Sequence, residues 1–216
     1  MADLQNRRPL ASRKTGWASA MSRALARTRI TPNQISMAGM VAALIAGGCF
    51  WAAGTVTGIG RGGLLLAAAV FVQVRLLCNL FDGMVAIEAG RGSPDGSFWN
   101  EFPDRISDML ILVGAALFVG EPALGWAATA FAFLTAYVRE LGVNCGAGAD
   151  FRGPMAKPHR MALLTLAAVL SVAEPYWQGT EQVLLISLWI VIVGAAITAA
   201  RRAFGIVTRL NTHTEL

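Results

Sequence analysis

Charge is what this sequence has least of. Asp, Glu, Lys and Arg together make up 14% of its 216 residues, against roughly 25% in soluble domains. With 55% apolar residues and a mean hydropathy of +0.54, that scarcity excludes an ordinary water-soluble domain. Cysteine is sparse as well. Cys49, Cys78 and Cys145 lie in or near apolar runs, have no metal-ligand spacing, and read as small buried hydrophobes. No segment repeats at a period of about 20–50 residues, which sets solenoids aside. No cleavable signal is expected, because the first 30 residues are basic and lack an apolar stretch.

What the chain does have is apolar runs at 34–54, 63–81, 106–120, 123–138, 161–173 and 182–200, parted by short polar segments. A membrane span needs about 20 residues, somewhat fewer where its polar end lines a cavity. The expected fold is therefore all-α and integral to the membrane, with about six transmembrane helices. Residues 1–30 read as a cytoplasmic arm with a short interfacial helix, and 31–216 as a six-helix membrane domain. Basic residues crowd one side: Arg7, Arg8, Arg13, Lys14, Arg23, Arg27 and Arg29 in the arm, then Arg91, Arg105, Arg139, Arg152, Lys157, Arg160, Arg201, Arg202 and Arg209. The other side holds Arg61 with Glu121, Glu174 and Glu181. This bias predicts a multi-pass protein of the cell (inner) membrane with both termini cytoplasmic. A basic face toward anionic headgroups accounts for the net charge of +5, so membrane lipids are the expected partners and nucleic acid is not.

Local signals agree with that layout. Trp17, Met21, Ala24 and Leu25 recur at helical spacing between Thr15 and Arg29, as in a helix lying at headgroup level. Thr31-Pro32-Asn33-Gln34 reads as a helix start, with Thr31 as N-cap, Pro32 at the first helical position and Gln34 closing a capping box. Gly58, Gly60, Gly62 and Gly63 mark the outer turn before the second span, and Pro103 is expected to kink the third.

The second and third spans are not clean. Arg75, Asn79 and Asp82 fall at i, i+4 and i+7 on one helix face, while Asn100, Asp104 and Asp108 are spaced four apart on another. A charge inside a span costs at least ~2.5–3.5 kcal/mol, so it faces the interior and works there. Snorkelling to water suits a long Arg chain but not stripes of short Asp and Asn. A turn with Gly90, Gly92 and Gly96 joins the two helices, so both polar faces can meet near the cytoplasmic surface.

Written out, the segment is Asn79-x2-Asp82-Gly83-x2-Ala86-Ile87-x8-Gly96-x3-Asn100-x3-Asp104. It resembles the signature of the CDP-alcohol phosphotransferase family, D-x2-D-G-x2-A-R-x8-G-x3-D-x3-D. The spacing matches throughout, with Asn79 and Asn100 in place of the first and third Asp and Ile87 in place of Arg. A register using Asn100, Asp104 and Asp108 as the last three positions needs a spacer of twelve and is rejected. Thr31-Pro32-Asn33 and the run Asp104-Arg105-Ile106-Ser107-Asp108 are also similar to the family, so the resemblance covers the whole chain.

The resemblance implies a phospholipid-synthesising transferase that uses Mg²⁺ or Mn²⁺. It implies Asp82, Asp104, Asn79 and Asn100 as metal ligands and Asp104 also as general base on the acceptor hydroxyl. Gly83, Ala86 and Gly96 would admit the nucleotide by being small. Arg75 would lend a fixed cation where a carboxylate site has lost charge, and Lys157 and Arg160 would contact phosphate, with ordinary loop charges as the competing reading for the last two. His159 is a minor candidate for a second base. A diphosphate in a half-buried cleft needs hard oxygen ligands for its metal, and an attacking hydroxyl needs a carboxylate within reach. The implied partners are a CDP-linked lipid or alcohol donor, CDP-diacylglycerol ahead of a soluble one, and a hydroxyl acceptor; a homodimer stays open. The alternative function is a catalytically impaired member serving as a lipid-binding or scaffold protein. A small transporter is disfavoured, because the polar groups lie near one surface and not at the midplane.

Overall fold

In the computed structural model, residues 15–88, 90 and 95–213 are described. The basic arm residues up to Lys14, together with Arg91, Gly92 and the side chain of Asn100, lie outside the described residues. Every regular element among those described is helical: α1 (Gly16–Ala26), α2 (Pro32–Ala53), α3 (Gly58–Glu88), α4 (Gly96–Phe118), α5 (Pro122–Asn144), α6 (Lys157–Ser171), a 3-10 turn (Glu174–Trp177) and α7 (Gln182–His213). By length and composition, α2, α3 and α7 can cross a membrane. Helix α4 has the length, but Glu101, Asp104, Arg105 and Asp108 break its apolar run. Helix α6, with 15 residues, rises about 22 Å, short of the ~30 Å hydrocarbon core.

Helix starts follow local chemistry. The Gln34 amide donates to Thr31 Oγ1 at 3.2 Å, and the Thr31 amide donates to Gln34 Oε1 at 3.0 Å. The expected capping box is therefore present, with Pro32 in the first turn. The end of α7 is held differently. Glu174, fully buried in the preceding turn, accepts from the Val183 amide at 2.8 Å and so satisfies one orphan donor of the α7 N-terminus. Helix α4 runs unbroken through Pro103, and Ser107 Oγ donates to the Pro103 carbonyl at 2.7 Å.

Helix α3 extends to Glu88 and α7 to His213, well past the apolar runs that announced them. Along these extensions Asp82 bonds to Ser36 of α2, Arg202 to the Thr135 carbonyl of α5, and Arg209 to the Ala147 carbonyl of the α5–α6 connection. Helix α2 packs on both α3 and α4, and α5 on α4 and α7. Small residues permit the close approach: a Cβ added to Gly114 would lie 2.5 Å from Gly47 Cα, and one on Gly125 2.7 Å from Ala116 Cβ. Helix α1 lies against α3 through buried Ala18 and Ser22, with Trp17 edge-on to Phe81. Trp17 and Met21 stay exposed, as do Arg23 and Arg27.

The Gly47–Gly114 contact leaves no room for a methyl group, since backbone cannot swing aside. Gly114→Ala should destabilise the protein by about 1–3 kcal/mol, read as a lower unfolding temperature in detergent. Gly63→Ala, with nothing within 4 Å of its added Cβ, should leave that temperature unchanged.

Candidate active site between helices α3, α4 and α6

Three helices line one small pocket, and a fourth bonds to its lining. Helix α3 presents Arg75, Asn79 and Asp82 over two turns of one face, and α4 presents Asp104 and Ser107. Helix α2 adds Ser36 one turn after its cap, and Lys157, the first residue of α6, bonds to Asn79 and Asp104. The two polar stripes do meet, as their periodicity implied.

The bonding is specific. Asp82 Oδ2 accepts from Ser36 Oγ at 2.8 Å, and its Oδ1 accepts from the Gly83 amide at 2.5 Å. Asp104 Oδ1 accepts from Asn79 Nδ2 at 3.0 Å and from Arg75 Nη2 at 3.3 Å. Its other oxygen, Oδ2, pairs with the Lys157 ammonium. Lys157 Nζ also donates to Asn79 Oδ1 at 2.8 Å. One turn deeper, the fully buried Asp108 is held on both oxygens, by Arg75 Nη2 at 3.1 Å and by Arg160 Nη2 at 2.7 Å.

These placements refine the residue roles. Asn79, Asp82, Asp104, Arg75 and Lys157 come together; Gly83 and Ala86 follow on α3, half-buried, and Gly96 opens α4. Arg75 turns toward Asp104 and Asp108, and Arg160 lies buried behind the pocket on Asp108. Ile87 is 57% exposed, and His159 is exposed too. Sequence reasoning missed Ser36, whose signal was a hydroxyl one turn past a cap in an otherwise apolar helix. It also missed the structural role of Asp108, which the four-residue stripe had offered.

Outside the pocket lining, two acidic side chains gather basic ones. Glu101 bridges Arg105 at 2.9 Å and Arg139 at 2.5 Å, and Arg139 lies over the Phe151 ring. In the α5–α6 connection, Asp150 is bonded by Arg152 at 2.8 Å and lies 3.5 Å from Arg209 of α7. The hydrogen bonds from Arg152 hold the Asp150 carboxyl well below the usual range, at about 2.

Whether the donor set suits a divalent ion is a question of its chemistry. Among the described residues no three His, Cys, Asp or Glu side chains converge as a metal site. The two carboxylates Asp82 and Asp104 line the pocket with the Asn79 carbonyl, and together they form an all-oxygen set. Hard oxygen donors of this kind fit Mg²⁺ or Mn²⁺, and their number suits one ion.

Comparison with known proteins gives relatives of one kind. No family model matches the chain. A phosphatidylinositol phosphate synthase of Cutibacterium acnes is 28% identical over 204 residues, 88% of this chain and 93% of that protein. One of Streptomyces avermitilis is 28% identical over 168 residues, 68% of this chain and 69% of its own. Among solved structures, the Mycobacterium tuberculosis phosphatidylinositol phosphate synthase with CDP-DAG bound superposes with a TM-score of 0.71 at 22% identity, over 88% of this chain and 92% of that one. The same enzyme in complex with manganese and citrate gives 0.72, over 88% of this chain and 89% of that one. At this identity the structural likeness establishes the shared fold.

Asp108 is the counter-ion of two buried guanidiniums, so its loss strands both. Removing one partner of a buried ion pair costs about 3–5 kcal/mol. Asp108→Asn should therefore lower the unfolding temperature strongly, whereas Asp82→Asn, whose partners are a hydroxyl and an amide, should shift it far less. Parallel thermal melts of the two variants in detergent check the contrast.

Proposed function

We propose that this relative of the CDP-alcohol phosphotransferase family moves a phosphatidyl or phospho-alcohol group from a CDP-linked donor to an acceptor hydroxyl. One observation carries the reading: Asp82, Asn79 and Asp104, spaced as the family signature requires, meet at a single pocket beside the Lys157 ammonium. The donor is CDP-diacylglycerol, a choice supported by the CDP-DAG bound to the M. tuberculosis enzyme. The acceptor hydroxyl attacks the phosphorus that carries the lipid, the bond to CMP breaks, and the hydroxyl proton passes to Asp104. Asn79, Asp82 and Asp104 would hold Mg²⁺ or Mn²⁺, with Asn100 as a further ligand. Such an ion neutralises charge on the diphosphate as CMP departs. Manganese in the related structure supports this choice. Gly83, Ala86 and Gly96 leave space for the nucleotide along α3 and α4, and Arg75 fixes the orientation of Asp104.

For the acceptor, the reading is a phosphorylated polyol such as inositol phosphate. The relatives' name supports it. Six spans, read from the six apolar runs, with both termini cytoplasmic, read from the charge bias, complete the reading as a multi-pass inner-membrane protein. One arrangement favours the alternative of an impaired, lipid-binding member: both oxygens of the base Asp104 are engaged by cations.

Three measurements bear on this. Purified protein in lipid–detergent micelles should release CMP from CDP-diacylglycerol when given inositol phosphate and Mg²⁺ or Mn²⁺, and far less with unphosphorylated inositol. Absence of CMP release under all these conditions would leave the impaired-member reading standing. Asp104→Asn should cut CMP release by about 10²–10⁴-fold, the span of a lost general base, while CDP still binds. For topology, a cysteine at position 58 should react with an impermeant label only from the outer face.

A further inference from the structure

Formal charge in and behind the pocket sums to zero without any added ion. Asp82, Asp104 and Asp108 supply three negative charges, and Arg75, Lys157 and Arg160 supply three positive ones. Arg75 and Arg160 are fixed, each 1% exposed and tied to Asp108. Lys157 is not fixed in the same way. It stands at the first residue of α6, with 15% of its side chain exposed, on a flexible four-carbon stem. Its ammonium touches Asn79 Oδ1 and Asp104 Oδ2, two of the oxygens that would hold a divalent ion.

We propose that Lys157 is a tethered counter-ion that competes with the divalent metal for these oxygens, so that metal binds well only together with the diphosphate. The inference rests on the transferase reading above and adds a coupling to it. A free divalent ion entering the neutral pocket brings two uncompensated charges and meets an ammonium on its own ligands. Like charges at such range repel by several kcal/mol at an effective dielectric near 20. A diphosphate arriving with the ion restores the balance and gives Lys157 a new anionic partner. Lys157 is thus a positioning residue: the oxygens it holds, Asn79 Oδ1 and Asp104 Oδ2, become available to the metal when the diphosphate draws its ammonium away.

The test is Mn²⁺ binding to the full chain in detergent, followed by the paramagnetic resonance signal of free Mn²⁺, with and without CDP. CDP in protein-free buffer provides the correction for Mn²⁺ held by nucleotide alone. The expected result is Mn²⁺ affinity at least about tenfold higher with CDP, within the usual range of coupling between two ligands. Lys157→Met should bind Mn²⁺ more tightly than wild type in the absence of CDP and show a smaller gain when CDP is added. Lys157→Arg keeps the charge and should retain weak binding without CDP, which separates the effect from damage to the fold. Equal Mn²⁺ affinity with and without CDP in the wild-type protein overturns the coupling while leaving the transferase reading intact. An unchanged affinity in Lys157→Met overturns the role of Lys157. If neither CDP nor Mn²⁺ binds under any condition, the transferase reading falls, and the coupling falls with it.

Discussion

Asp108 cannot be solvated where it sits, and the surrounding architecture follows from that. Fully buried in α4, it is held by Arg75 of α3 on one oxygen and by Arg160 of α6 on the other. In a medium of low dielectric an ion pair of this kind tolerates little displacement, because moving either partner leaves an uncompensated charge. Three helices are therefore locked in relative register at one depth. One turn along α4, Asp104 inherits that register, and one turn along α3, so does Asn79. The contact between them at 3.0 Å is set by the pair beneath.

The lock needs helices that come close. Glycine provides this where α2 crosses α4, since Gly47 and Gly114 meet backbone to backbone. Helix α2 is in turn placed along its own axis by its cap. Thr31 and Gln34 close the first turn, which puts Ser36 level with Asp82 of α3 at 2.8 Å. A hydroxyl there satisfies the carboxylate oxygen that the Gly83 amide does not reach, and it adds no charge to the site. Capping chemistry at the surface and ligand orientation inside the pocket are in this way one piece of geometry.

Much of this was legible in the residues themselves. The capping box at Thr31 and the meeting of the two polar stripes were readable, because both rest on short-range spacing that tertiary context did not override. Partner choice was less legible. Arg75 reads equally well as a cation for Asn79 or for Asp104, and only the rotation of α4 against α3 puts it on Asp104 and Asp108. Arg160 reads as a phosphate ligand from the family resemblance; here it is buried, with its guanidinium on Asp108 and the Met155 carbonyl. Helix lengths were also misjudged from hydropathy. Polar residues at the end of α3 end the apolar run but not the helix, and Asn79 and Asp82 find partners across the interface.

Asn79 shows why the altered signature is coherent as physics. An amide is both donor and acceptor, and here it uses both: Nδ2 donates to Asp104 Oδ1, while Oδ1 accepts from Lys157. An aspartate in the same rotamer could make only the second contact. It would set a second carboxylate about 3 Å from Asp104, a like-charge approach that normally forces one of the two to stay protonated. Two acidic groups so close are stable when a divalent ion lies between them to neutralise both. With Asn, the pair is stable without an ion, because Lys157 bridges the amide oxygen and Asp104 Oδ2 in its place. The exchange of carboxylate for amide and the presence of a lysine at the head of α6 are thus two parts of one electrostatic solution. Its consequence is a pocket whose carboxylates are balanced by cations of the chain itself.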